Sequence, residues 1–173
     1  MRSELAAALG RLFQTPPQAY AFLYGSDKYP DIHGVVYFYP FFEGTLVAAE
    51  AAGLPHMEDA CRERVFGFHL HEGALCKGSP ASPFEETGSH YNPEGCAHPA
   101  HAGDLPPLFG NDGYALCIFY TARFRPDEAA GHTVILHELP DDFTTQPSGA
   151  SGEKIACGEV QMNPVPFTVL PER

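Results

Sequence analysis

Positive charge is scarce in this chain: 10 Lys and Arg stand against 22 Asp and Glu, a formal net charge of −12. Nucleic acid and anionic membrane both repel such a chain, so neither is expected as a partner. No apolar run approaches the roughly 18 residues that a spanning helix needs. The stretch from Met1 to Arg11 has only a brief apolar segment, interrupted by Arg11, where a secretory signal has a longer uncharged core. With no clear signal peptide, cytoplasmic and exported (periplasmic or extracellular) locations both stay open. Five cysteines are present, Cys61, Cys76, Cys96, Cys117 and Cys157, but no CxxC. That excludes a zinc ribbon and a thioredoxin motif, and the odd count leaves at least one thiol free. One long-range disulfide is compatible with the spacing, which does not select the pair. Internal repeats and low-complexity segments are absent as well.

What is present fits one domain: 173 residues, 44% hydrophobic and 12% aromatic, enough to close a core. Gly and Pro number 17 each, which favours many short strands joined by turns over a helix bundle. Residues 19–24 and 34–39 are aromatic and β-branched between turn residues and read as strands, as do 44–52, Val65–His71, Gly113–Phe124, Thr133–His137 and Lys154 to about Val160. Two long loops interrupt them, Glu72–Pro107 and Glu138–Glu153. A loop well beyond roughly 12–15 residues is usually functional or disordered, and the first, rich in His, Cys, Gly and Pro, reads as ordered and functional. Residues 1–18 form an N-terminal extension with a short amphipathic helix, on the helical spacing of Leu5, Ala8, Leu9 and Phe13. Residues 19–163 form the domain, and 164–173 an extended Pro-rich tail. The fold class is all-β: an antiparallel sandwich or barrel of about seven or eight strands.

Nine histidines are many for this length. His69 and His71 lie two apart on a strand, so their side chains share a face at about 6.6 Å Cα spacing and both reach one ion. His90, His98, His101 and Asp104 fall within fifteen residues of the long loop. Three imidazoles and a carboxylate are a full tetrahedral set for zinc, with no open position, so that ion would be structural. His137 ends a strand and can join His69 and His71. If His90 served both groups, the first would have four nitrogen donors, a set that suits copper(II). His33, His56 and His132 read as solvated or hydrogen-bonded side chains.

Four motifs then carry a family resemblance: Gly67-Phe68-His69-Leu70-His71-Glu72, Gly88-Ser89-His90-Tyr91-Asn92-Pro93, His101-Ala102-Gly103-Asp104-Leu105 and Ala156-Cys157-Gly158. In this order, across roughly residues 19–160, the chain resembles the copper–zinc superoxide dismutases, a known instance of the Greek-key sandwich. The resemblance implies a flattened barrel of about eight strands with two functional loops. It implies copper on His69, His71, His90 and His137, and zinc on His90, His98, His101 and Asp104, with His90 bridging. It implies a disulfide between Cys76 and Cys157. It places Asp141, with Asp142 as a rival, where a carboxylate links a copper-side ring to a zinc-side ring.

The implied reaction converts superoxide to dioxygen and hydrogen peroxide, with His90 carrying a proton. Lys154 stands where the family has an arginine, keeping the charge but not the planar fork; Lys77 is a further candidate for guiding the anion. The loop 138–153 has no Lys or Arg, and only Pro99 and Ala100 separate His98 from His101. Cys96 reads as an unpaired thiol, and Cys61 and Cys117 as small apolar groups. These departures keep a non-catalytic copper- and zinc-binding protein, for storage or delivery, as the alternative; an immunoglobulin-like adhesion domain would leave seven ordered candidate ligands unexplained. A homodimer is left open.

Overall fold

In the computed structural model, residues 10, 12–56 and 64–165 are described. Alternation along the first strands sets the architecture. In β1 (Ala19–Gly25), Ala19, Ala21 and Leu23 point to the core, while Tyr20, Phe22 and Tyr24 point outward. β2 (His33–Phe41) and β3 (Gly44–Ala52) pair in antiparallel register from His33 with Ala52 to Phe41 with Gly44, closed by a tight turn at Phe42-Glu43. β4 (Val65–Phe66), β5 (Phe68–His71), β6 (Leu108–Phe109), β7 (Tyr114–Thr121), β8 (Thr133–His137), β9 (Lys154–Glu159) and β10 (Gln161–Met162) follow, with a 3₁₀ turn at Glu85–Thr87 and a short helix α1 (Pro126–Ala129). The main sheet runs β5-β8-β9-β1-β2-β3-β7, with β10 also on β1; β4 and β6 form a separate pair. All strand pairings among the described residues are antiparallel. The result is the expected all-β Greek-key fold, curled around a core that includes Phe38, Phe66, Phe68, Leu70, Leu136 and Ile155.

The expected strand Val65–His71 divides at Gly67. Its N–H donates to Leu139 O (2.8 Å) and its carbonyl accepts from His137 N–H (2.8 Å), so β4 pairs with β6 and β5 with β8. With that division, the two-residue strands β6 and β10 bring the total among the described residues to ten, above the expected seven or eight. The helix expected over Leu5, Ala8 and Leu9 and the end of the tail lie outside the described residues, as does Cys61. Among the described residues no helix is long and apolar enough to cross a membrane.

Two features position the long loop. β5 ends the sheet, and the loop returns along its free edge. Tyr91 N–H donates to Leu70 O (2.8 Å), and Leu70 N–H donates to Gly103 O (2.9 Å). Isolated bridges place His90 beside His71 and Asp104 beside His69. A Cβ on Gly103 would overlap the Leu70 carbonyl, so only glycine allows this approach. The Cys76–Cys157 disulfide then ties the loop to β9 across 81 residues of sequence, a closure of on the order of 4 kcal/mol in the chain-entropy model.

Candidate metal centre

Strand alternation turns Phe68 and Leu70 into the core and presents His69 and His71 together on the other face. Around them the fold gathers two groups of buried donors: His69, His71, His90 and His137, and His90, His98, His101 and Asp104. Within each group one ligand atom per residue lies within 4.8 Å of all the others. Every ligand inferred from the sequence is thus brought into one of the two groups, and His90 belongs to both.

Hydrogen bonds fix the tautomers. His71 Nδ1–H donates to Gly88 O (3.0 Å) and His137 Nδ1–H to Gly152 O (3.3 Å), so their Nε2 atoms, 3.2 Å apart, present lone pairs to each other. His69 and His98 each donate Nε2–H to Asp141, at 2.8 and 2.9 Å, which leaves both Nδ1 atoms bare. Those two atoms, His90 Nε2 and His101 Nδ1 are buried with no hydrogen-bond partner. Asp104 Oδ1 lies 2.7 Å from His90 Nδ1, 3.1 Å from His98 Nδ1 and 3.3 Å from His101 Nδ1, and its Oδ2 accepts the His101 N–H (2.9 Å). Lone pairs converging in a dry interior repel one another unless cations sit among them. The donor chemistry therefore fits two metal ions, one per group.

Electrostatics agree. Burial drives the His71 ring well below its ordinary pKa, assisted by the charges of His137, Lys154 and His90. Burial likewise pushes His137 down to about 3 and lowers His69, the latter against the opposing Asp141 hydrogen bond. These rings are neutral at pH 7, the form that ligates. Burial alone would raise the carboxyl of Asp141, but hydrogen bonds from His69, the Phe143 N–H and His98 hold it well below the carboxylate range. Asp104 is lowered in the same way, burial being outweighed by His90 and the His101 N–H.

Of the two rival carboxylates, Asp141 is the buried one between the rings. Asp142 is exposed and accepts from Thr144 N–H and Thr145 N–H. Lys154 opens β9 half-buried, its Nζ donating to Thr87 Oγ1 (2.7 Å) and to Gly88 O (2.9 Å). Burial lowers its pKa, with the Glu85 charge opposing. Lys154 and Lys77 line one cavity of about 760 Å³ with Lys28, but Asp27, Glu86 and Glu153 line it too. His33, His56 and His132 each bond a backbone carbonyl and stand apart from both groups. Cys96 is an exposed free thiol and Cys117 a partly buried one packed against the core.

Three supporting residues escape sequence reading. Thr87 anchors Lys154. Gly149, at φ +66°, leaves room that a Cβ would take from the Asp141 carboxylate. Arg123 Nη1 donates to the carbonyls of Pro99 (3.1 Å), His101 (2.9 Å) and Asp104 (3.2 Å). A glycine among Ser, Pro and Ala and an arginine in a loop carry no signal of such roles.

An antiparallel Greek-key fold with two buried donor groups sharing one histidine defines a two-metal β-barrel protein. Comparison makes the class specific. The family model for copper/zinc superoxide dismutase (SODC) matches residues 32–160, and the chain belongs to that family. Superoxide dismutase [Cu-Zn] of Deinococcus radiodurans is 31% identical over 157 residues, covering 78% of this chain and 80% of the relative. The superoxide dismutase-like protein YojM of Bacillus subtilis is 37% identical over 113 residues, 56% of each chain. The solved Cu/Zn superoxide dismutase from Brucella abortus superposes with a TM-score of 0.68 at 23% identity, covering 82% of this chain and 98% of that one, and it shares the fold. Copper and zinc are the metals of this protein.

Proposed function

We propose that this protein dismutes superoxide, converting two superoxide ions and two protons to dioxygen and hydrogen peroxide. His69, His71, His90 and His137 would hold copper, and His90, His98, His101 and Asp104 would hold zinc. The observation that carries the reading is the single ring of His90 facing both groups, with Nδ1 against Asp104 and Nε2 bare among the other three imidazoles. Copper bound there would supply the one-electron couple that the reaction needs.

The chain's own residues supply the rest. Asp141 orients His69 and His98 at once and keeps their ligating nitrogens unprotonated. Gly88 O does the same for His71. With Nδ1 of His90 held on the Asp104 side, Nε2 is the ring position that gains and loses a proton in step with the electron. Among the described residues Lys154 presents an ammonium tied to this shell, fixed by the same Gly88 carbonyl that His71 uses, and offers an anion a positive end point.

The test is superoxide consumption followed by stopped-flow on protein loaded with both metals. Turnover well above the uncatalysed rate is expected, and its loss in the His71→Ala/His137→Ala double variant. Turnover that persists in the double variant overturns the reading. One observation favours the alternative, a binding protein that stores or delivers the metals: the loop 138–153 has no Lys or Arg, and the cavity beside Lys154 is lined by as many carboxylates as ammonium groups. Copper and zinc bound with ordinary affinity but without turnover would establish that alternative.

A further inference from the structure

A cavity of about 470 Å³ opens where the ligand loop, the end of β7 and the loop after β8 meet. That lies inside the roughly 300–1,000 Å³ range of small-molecule sites. Three prolines, Pro99, Pro106 and Pro107, and three rings, Phe119, Tyr120 and Phe143, form most of its wall. Two charged side chains line it as well, Asp104 and Arg123. The Asp104 carboxylate is already spent: Oδ1 faces the rings of His90, His98 and His101, and Oδ2 accepts the His101 N–H. Arg123 is only half used. Its Nη1 holds the carbonyls of Pro99, His101 and Asp104, whereas Nε and Nη2 meet no acceptor among the described residues. The Nε–Nη2 edge of a guanidinium is a two-pronged donor matched to a carboxylate. With Nη1 pinned on three carbonyls, that fork is fixed before any ligand arrives, which lowers the cost of binding.

Charge and shape select the ligand. Among the lining residues Arg123 alone keeps an unanswered charge, so the cavity favours an anion. The chain around it carries −12, which penalises each negative charge beyond the first. Walls of proline and aromatic rings call for an apolar body that lies flat against them. Phe143 marks the same place independently. Its φ of +58° is in the left-handed region, which bulky side chains rarely adopt, and strain of that kind gathers at ligand sites. Phe143 is 45% exposed and lines the cavity, while its N–H donates to Asp141 Oδ1 (2.7 Å). The cavity is thus tied to the metal shell twice, through Arg123 to the ligand loop and through Phe143 to Asp141.

We propose that this cavity binds a small carboxylic acid with an aromatic body, its carboxylate on the Nε–Nη2 edge of Arg123 and its ring against Phe143 and the prolines, and that occupancy steadies the loop that carries the zinc ligands. A guanidinium held from both sides resists letting go of the Pro99, His101 and Asp104 carbonyls. Binding here requires no superoxide turnover. The experiment is calorimetric titration of benzoate into the chain loaded with copper and zinc, with zinc transfer to a chromogenic chelator followed in parallel. A Kd between about 10 µM and about 1 mM is expected, with benzamide, which lacks the charge, and acetate, which lacks the ring, each at least about tenfold weaker. Arg123→Lys keeps the charge without the fork, and Phe143→Ala removes a wall but keeps the N–H that serves Asp141; each should weaken benzoate by at least about fivefold. Saturating benzoate should slow zinc release by at least about threefold and leave the copper(II) spectrum unchanged. Benzoate bound no tighter than benzamide or acetate overturns the proposal. So does a changed copper(II) spectrum, which would put the anion on the copper. Binding that both variants leave intact overturns it by placing the ligand elsewhere, and unaltered zinc release overturns the link to the loop.

Discussion

Replacing Asp141 by Asn tests how the two metal positions are coupled. The carboxylate accepts from His69 Nε2–H at 2.8 Å, His98 Nε2–H at 2.9 Å and Phe143 N–H at 2.7 Å, all in a buried setting. Asn has nearly the same shape but only one acceptor oxygen, so one of the two rings must face an amide N–H₂. That ring cannot switch tautomer without placing a proton on the nitrogen that ligates. One charge-assisted hydrogen bond is lost, worth about 1.5–3 kcal/mol, which corresponds to roughly 10–100-fold in affinity for the ion on that ring's side. Competitive chelator titrations of copper and of zinc read the two constants separately, and circular dichroism checks the fold. Asp142→Asn is the control, since that side chain serves only the turn at Thr144 and Thr145, and it should leave both constants unchanged. Binding of both ions by Asp141→Asn within about threefold of the parent protein would refute the reasoning.

Gly149→Ala should destabilise the protein by about 1–3 kcal/mol through its positive φ and by crowding Asp141, lowering the thermal midpoint and loosening zinc. Arg123→Ala should release zinc to a chelator roughly tenfold faster, because three carbonyls of the ligand loop lose their common donor; copper release, measured in parallel, should change less. The carboxyl of Asp142 is pushed down to about 2 by hydrogen bonds from the Thr145 hydroxyl and from the Thr145 and Thr144 N–H groups. Its folded pKa is depressed, so its contribution to the turn is present above the ordinary carboxylate range and is lost as pH falls toward about 2; amide exchange at Thr144 and Thr145 should accelerate over that window and not above it.

Much of this arrangement is legible in the chain itself. β1, β2 and β3 announce themselves by a buried face and β8 by burial on both faces, with side chains that alternate or run apolar. The candidate ligands are legible because imidazoles cluster where nothing else explains them. The division at Gly67 is not, since it depends on bonds to Leu139 and His137, more than sixty residues away. Nor are β6 and β10, two-residue pairings that exist only because distant partners lie alongside. Asp141 and Asp142 are indistinguishable as letters; only the folded loop turns one inward and leaves the other in water. Lys154 is readable as a lone cation at the head of a strand, whereas its seat on Thr87 and Gly88 is a product of the 3₁₀ turn.

The way the ligand loop lies along β5 has a consequence for the protein before it acquires its ions. The loop segments at Tyr91 and Gly103 act as a surrogate neighbour strand, and the donors they carry repel one another until cations arrive. In metal-poor surroundings that surrogate would tend to peel away and bare a row of backbone groups to any passing chain. Metal supply would then govern whether newly made protein stays solitary in folding or seeds aggregates, and chelation during refolding should raise turbidity well before it lowers helix or strand content.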